Sequence, residues 1–218
     1  MPHALVIGGN RGIGLELVRQ LLARSAPAWR VSVICRSGTP ELAALPAETH
    51  ADIDVTTDAG LTAAKAALAG QSVDLLVVVA GLLERNTLGD LDVSSVRAQF
   101  EINALAPLRL VDAFASQLPK GAKVALLTSR MGSIADNDSG SHYGYRMSKA
   151  ALNAYCIKNG VVYLTIVNRG CLGLSSLPSG LAVVRTEGIG VFSVFALSVA
   201  EGSYGVTSNP MPAPVSRA

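Results

Sequence analysis

Seven consecutive residues constrain this chain more than any others. The apolar run 4–7 ends directly in Gly8-Gly9-Asn10-Arg11-Gly12-Ile13-Gly14. Residues 15–24 follow, with Leu15, Val18, Leu21 and Leu22 at helical spacing. A strand, a glycine-rich turn and a helix in that order open a βαβ unit. Glycines allow a tight turn and close approach of a phosphate, and the helix N-terminus then faces that negative charge. The spacing is Gly-x-x-x-Gly-x-Gly rather than the usual Gly-x-Gly-x-x-Gly. No Gly-Lys-Ser/Thr follows, so it is not a P-loop. A glycine turn that holds no ligand is the plain alternative.

The same rhythm continues to about residue 155. Apolar stretches at 30–35, 51–55, 75–80 and 123–128 predict four more strands, and 161–167 a sixth. Helical patterning covers 62–68, 94–114 and 145–158, while 41–45 allows at most a short helix. Pro107 should bend or break the long helix, which starts at Ser94 or Ser95. The run 75–80 is apolar without alternation, as a strand buried on both faces requires. Strands separated by helices imply an α/β fold on a parallel sheet.

Composition narrows the class. Of 218 residues, 50 % are hydrophobic and the mean hydropathy is +0.39, ample for a core and unlike a disordered chain. The net charge of +2 is too balanced for a nucleic-acid binder. The apolar run 188–200 is 13 residues long, short of the roughly 20 that span a bilayer, so no membrane segment is expected. Cys35, Cys156 and Cys171 make neither a metal motif nor a disulfide framework. No basic leader with a cleavage site opens the chain. A reducing, cytoplasmic setting without metal is the expectation.

Two arginines lie where an adenosine ribose would sit. Arg11 is inside the loop and Arg36 follows the second strand. A carboxylate there would suit a free 2′-hydroxyl, whereas a guanidinium suits a 2′-phosphate, so NADP(H) is preferred over NAD(H). Solvated surface arginines are the bland alternative. Asp54-Val55 ends the third strand within reach of an adenine, or is an ordinary strand end.

Tyr145 and Lys149 stand at i and i+4, on one helical face. A free phenol titrates near 10, and a neighbouring ammonium lowers that by stabilising the phenolate. Ser129, just past the fifth strand, can hydrogen-bond the same substrate oxygen. Asn103 is a mid-helix polar residue that could hold a water linking Lys149 to solvent. Alone, Tyr-x-x-x-Lys would be a surface pair; the glycine loop and Ser129 argue for chemistry.

With these motifs in this order, residues 4–155 resemble the short-chain dehydrogenase/reductase family, and within it the C-factor-like subgroup of cell–cell signalling relatives. Gly8, Asn10, Arg11, Gly12, Ile13 and Gly14 match its cofactor loop, Asp54 and Val55 its adenine pair, and Ala80-Gly81 the end of its fourth strand. Asn103 in Phe100-Glu101-Ile102-Asn103-Ala104, Ser129, Tyr145 and Lys149 match its catalytic set. The resemblance implies a doubly wound parallel sheet in a Rossmann-like three-layer α/β/α single domain over 1–218. It implies NADP-dependent hydride transfer on a small carbonyl or alcohol. Tyr145 would act as acid/base, Ser129 would position the oxygen, and Lys149 would orient the cofactor ribose. Asn103 would support the proton relay. Homodimers or homotetramers are implied as well.

Departures are visible too. Val78-Val79 stand where the family carries two asparagines, and the Ser129–Tyr145 spacing is lengthened by the insert 135–142, whose His142 reads as incidental. From Cys156 onward only 6 of 63 residues are charged, against 28 of 155 before it. The helix after Lys149 is short by about two turns, and Arg169-Gly170 stands where Pro-Gly is usual. Residues 156–218 therefore read as a divergent C-terminal part, short of expected elements, which also fits an altered reading frame or splice product. A dinucleotide-binding signalling protein with little turnover is the competing reading of the whole, and a truncated product that folds poorly and does nothing catalytic is the third.

Overall fold

The computed structural model describes residues 1–134, 137, 140–156, 162–168 and 192–196. Strand β1, His3–Ile7, is buried along its length because it feeds two cores. Leu5 and Ile7 pack into one, Ala4 and Val6 into the other. This alternation between two buried faces is why its sequence carries no polar alternation. β4, Leu75–Val78, does the same, with Leu76 and Val78 on one side and Val77 on the other.

β1 pairs in parallel with β2, Arg30–Ile34, on one side and with β4 on the other, in the registers Ala4↔Val31 and Ala4↔Leu75. β3, Glu48–His50, flanks β2, and β5, Lys123–Ser129, flanks β4. β6, Val162–Asn168, continues in parallel, and β7, Phe192–Ala196, closes the row antiparallel. The order is β3-β2-β1-β4-β5-β6-β7.

Helices cover both faces. α1, Gly12–Leu22, sets Leu15, Val18 and Leu21 against one, beside Leu42 of the short α2, Pro40–Ala43. On the other, α3, Asp58–Ala67, contributes Leu61 and Ala64, and α5, Ala106–Phe114, contributes Leu110 and Phe114. α6, Tyr143–Cys156, adds Leu152. Each such fully buried Leu or Phe contributes about 1.5–3 kcal/mol by leaving water. The doubly wound, three-layer α/β arrangement expected from the sequence is observed, parallel except for its last strand. Among the described residues no helix is long and apolar enough to cross a membrane, and no three His, Cys, Asp or Glu side chains group as metal ligands.

Several expected boundaries move, each for a physical reason. The third strand lies at Glu48–His50, not 51–55. Ile53 and Val55 are buried in the core from a connecting segment, which gave that stretch a strand-like look. α3 starts at Asp58, four residues before the expected 62, capped by the Thr57 hydroxyl, which accepts from the Gly60 N–H at 2.9 Å. Gly60 is inside the helix because a Cβ there would collide with the Asp54 carbonyl oxygen. The single helix expected over 94–114 is three pieces: α4, Val93–Phe100, a π-helical turn at Glu101–Leu105, and α5. Pro107 breaks nothing, because it occupies the first turn of α5, where proline is tolerated. The calls on 170–180 and on Arg169-Gly170 lie outside the described residues, as does most of the insert 135–139.

Candidate active site

The carboxyl ends of β1, β2 and β4 meet at one edge of the sheet. β1 runs out at Ile7, and Gly8 turns with φ +90, its N–H donating to the Ile34 carbonyl at 2.8 Å. A Cβ on Gly8 would stand 2.7 Å from the Ala80 nitrogen, and one on Gly14 would collide with the Gly8 carbonyl oxygen. Gly12, at φ +53, has nothing within 4 Å of a Cβ, so the loop is packed at two glycines and open at the third. α1 starts there with Arg11 as an extended N-cap, no side-chain cap and no acidic residue in its first turn. Its leading N–H groups and dipole are left to favour an anion.

In front of the loop lies a cavity of about 1020 Å³. Gly8, Asn10, Arg11, Gly12, Ile13 and Gly14 line it from the loop, Arg36 from the end of β2, Asp54 and Val55 from the segment after β3, and Ala80 and Gly81 from the end of β4. The loop is held in shape by Asn10, whose Nδ2 donates to the Ser37 carbonyl, and by Thr39, whose hydroxyl donates to the Asn10 carbonyl. The Asp54 carboxylate accepts from the Thr56 hydroxyl at 2.7 Å and the Thr56 N–H at 3.0 Å. The Thr56 hydroxyl, opposed by some burial and helped by the Thr56 N–H and the Arg36 charge, holds Asp54 below the usual carboxylate range. Thr56 and Ser37 were not singled out from the sequence; the Asp-x-Thr spacing was the available signal for the first.

At the far end, a Cβ on Gly81 would stand 3.0 Å from Asn103 Oδ1 and 3.9 Å from Lys149 Nζ. Lys149 is 3 % exposed. Its ammonium donates to the carbonyl of Leu127, another wall residue, at 2.6 Å and stands 5.8 Å from the centroid of the Tyr145 ring. Ser129 ends β5 and caps a one-turn 3₁₀ segment, Arg130–Gly132. Gly132 permits that turn to press on α6, where a Cβ would come within 2.8 Å of the Lys149 backbone. Ser129 and Tyr145 thereby share a hydrogen bond. Burial pushes the Tyr145 phenol above the ordinary 10, and the Ser129 bond pulls it back. The lowering expected from Lys149 is outweighed by burial.

Asn103 is fully buried in the π turn. Its Oδ1 accepts from the Leu82 N–H at 2.9 Å, and its Nδ2 donates to the Leu82 carbonyl and the Ser148 hydroxyl. Both amide hydrogens are used by protein oxygens, so the side chain is a tether rather than the water holder suggested by the sequence. Val78 is core, and a Val79 methyl lies 2.8 Å from where a Gly14 Cβ would be. The valines thus pack where asparagines would bond. His142 pairs with Ser141 through Nδ1 at 3.0 Å.

The short chain dehydrogenase family matches residues 2–158. The chain belongs to the short-chain dehydrogenase family. It is 39 % identical over 155 residues to 1-hydroxy-2-glutathionyl-2-methyl-3-butene dehydrogenase of Rhodococcus sp. (strain AD45), covering 70 % of this chain and 67 % of that one. It is 54 % identical over 68 residues to C-signal of Myxococcus xanthus, 30 % of this chain and 41 % of that protein. This places it with the C-factor-like dehydrogenases. A carbonyl reductase from Pseudomonas aeruginosa PAO1, solved in complex with NADP, superposes with a TM-score of 0.64 at 31 % identity, covering 72 % of this chain and 70 % of that one. The short-chain dehydrogenase match ends two residues after Cys156, where the charge density of the sequence falls.

Proposed function

We propose that this chain is an NADP-dependent oxidoreductase acting on a small carbonyl or alcohol, with Tyr145 as its general acid/base. The observation that carries the reading is the Ser129–Tyr145–Lys149 group standing beside the same cavity as the glycine loop. The residues fit a dinucleotide. Gly12 leaves room for a polyanion at an uncapped helix start, and Arg11 and Arg36 are two cavity-wall guanidiniums suited to a 2′-phosphate. The nicotinamide, when bound, supplies or accepts the hydride.

The protein's part is proton handling and placement. Tyr145, held above 10 by burial, is protonated at neutral pH, which suits donation to a carbonyl oxygen. Ser129 can hold that oxygen and the phenol together. Lys149, fixed by the Leu127 carbonyl, keeps positive charge beside the phenolate left behind, which then regains its proton from solvent. Reduction should therefore hold its rate through neutral pH and fall only on the alkaline side.

A second reading, a dinucleotide-binding signalling protein with little turnover, draws on the 54 % identity to C-signal. Titrating the purified chain with NADPH and NADH, then adding carbonyl substrates and following NADPH absorbance, separates the two. Binding with turnover supports the oxidoreductase; binding without it supports the second. Arg36→Glu should weaken NADPH at least about tenfold more than NADH, since a charge-assisted pair contributes about 1.5–3 kcal/mol. Equal weakening of both would reject the 2′-phosphate role.

A further inference from the structure

α4 and the π turn carry two fully buried amides one turn apart, Gln99 and Asn103. Asn103 grips Leu82 through both backbone groups. Gln99 accepts from the Glu84 N–H at 3.1 Å through Oε1 and donates through Nε2 to Asn86 Oδ1 at 3.1 Å and to Ser95 Oγ at 3.2 Å. Every second residue of the segment after β4 is thus held by the helix. A backbone N–H can only donate, so Glu84 fixes which end of Gln99 is oxygen, and Gly144 fixes the same for Asn86.

Asn86, 2 % exposed, carries the connection across to α6. Its Oδ1 accepts from the Gly144 N–H at 3.2 Å, its carbonyl accepts from the His142 N–H at 2.9 Å, and its Nδ2 donates to Ser95 Oγ at 3.3 Å. Gly144 is obligatory here, because a Cβ would meet Gln99 Nε2 at 2.7 Å and Asn86 Oδ1 at 2.9 Å. Farther along α6, the Ser148 hydroxyl accepts from Asn103 and donates to the Tyr145 carbonyl at 2.9 Å. α6 is therefore tied one residue before Tyr145 and three residues after it.

We infer that Asn86 and Gln99 are positioning residues: with Asn103 they form an amide clamp that brackets Tyr145 and sets its phenol against Ser129. This rests on Tyr145 being the acid/base. An orphan N–H of the first turn of α6 is satisfied from another segment, so the helix start cannot shift without leaving a buried donor unpaired.

The test uses three variants of the full chain. Asn86→Leu keeps bulk and removes the acceptor. Asn86→Asp keeps acceptors for Gly144 and Gln99, and the Ser95 hydroxyl can turn to donate. Gln99→Met removes one bond and spares the Gly144 one. Asn86→Leu is expected to lower kcat about a hundredfold, with KM and the NADPH Kd within about twofold, because small misplacement of a reacting group costs rate rather than affinity. Asn86→Asp should restore most of kcat, and Gln99→Met should fall between. Unchanged kcat per folded molecule in Asn86→Leu, or an Asn86→Asp as damaged as Asn86→Leu, would overturn the clamp. If Asn86→Leu does not fold, Gln99→Met decides: a reduced kcat at constant KM supports the clamp, and an unchanged one overturns it. Amide hydrogen exchange at Gly144 needs no turnover. If the wild type binds NADPH but reduces nothing, the acid/base reading has failed on its own, and the clamp stands or falls on faster Gly144 exchange in Asn86→Leu.

Discussion

The two ends of the sheet treat their polar side chains in opposite ways. Where the strands begin, His3, Ser32 and Glu48 close on one another. The His3 ring sits between the Ser72 carbonyl and the Ser32 hydroxyl, both at 2.8 Å. Ser32 lies 3.0 Å from Glu48, which Arg30 grips at 2.9 Å, and Asp74 accepts from the His3 N–H. Where the strands finish, Arg11, Arg36 and the glycine loop face a cavity. Buried polar groups occur at both ends, so burial does not mark function. What separates the ends is whether the groups satisfy each other or point into space, and a parallel sheet directs its strand-to-helix turns toward the carboxyl end.

Substitutions at the two ends should therefore separate chemistry from stability. Tyr145→Phe removes the proton donor and should cost about 10²–10⁴ in kcat, with NADPH binding and the melting midpoint unchanged. Preserved turnover in stopped-flow reduction assays would reject the acid/base role. Ser32→Ala leaves the buried His3 Nε2 without its partner, at a cost of about 1–3 kcal/mol in urea unfolding. The kcat of the folded fraction should not move, and a kcat loss would show that the ends are coupled.

The smallest effect is one of pH. Burial, then the Arg30 charge, outweigh the Ser72 carbonyl and the Glu48 and Asp74 charges, so His3 lies below its ordinary 6.5. The folded state then binds fewer protons than the unfolded one, and stability falls as pH drops through 6.5 and below. Glu48 lies below its ordinary 4.5: burial raises it, but hydrogen bonds from Arg30 and Ser32 prevail. Its contribution is lost only in stronger acid. Melting of the wild type between pH 7 and about 5 should decline, and that of His3→Gln should stay flat. Parallel slopes would remove His3 from the account.

The cavity wall was legible because its residues follow strands that are apolar without interruption, as at Ala4–Ile7 and Leu75–Val78. The helix starts were not, and the reason is shared. Gly60 and Gly144 look like breakers, yet each lies in a first helical turn because another element presses on it, the Asp54 carbonyl in one case and the Gln99 and Asn86 amides in the other. Hydrophobic patterning carries no trace of such contacts. β3 was missed because Glu48-Thr49-His50 is a polar edge strand whose hydrogen bonds to β2 leave no periodic signature. Gln99 drew no notice because one buried glutamine in a helix looks like a solvent-facing one until its neighbours are known.

The π turn at Glu101–Leu105 has a consequence for insertion and deletion. A regular helix advances about 100° per residue, and a π turn accommodates one residue more than an α turn. Removing a single residue, Ala104 for example, would restore a continuous helix and rotate everything beyond it by roughly that angle. Leu110 and Phe114 would then swing out of the core. The helical phase of α5 and the inward aim of Asn103 are thus one property: the chain cannot lose the bend without also losing the packing that follows it.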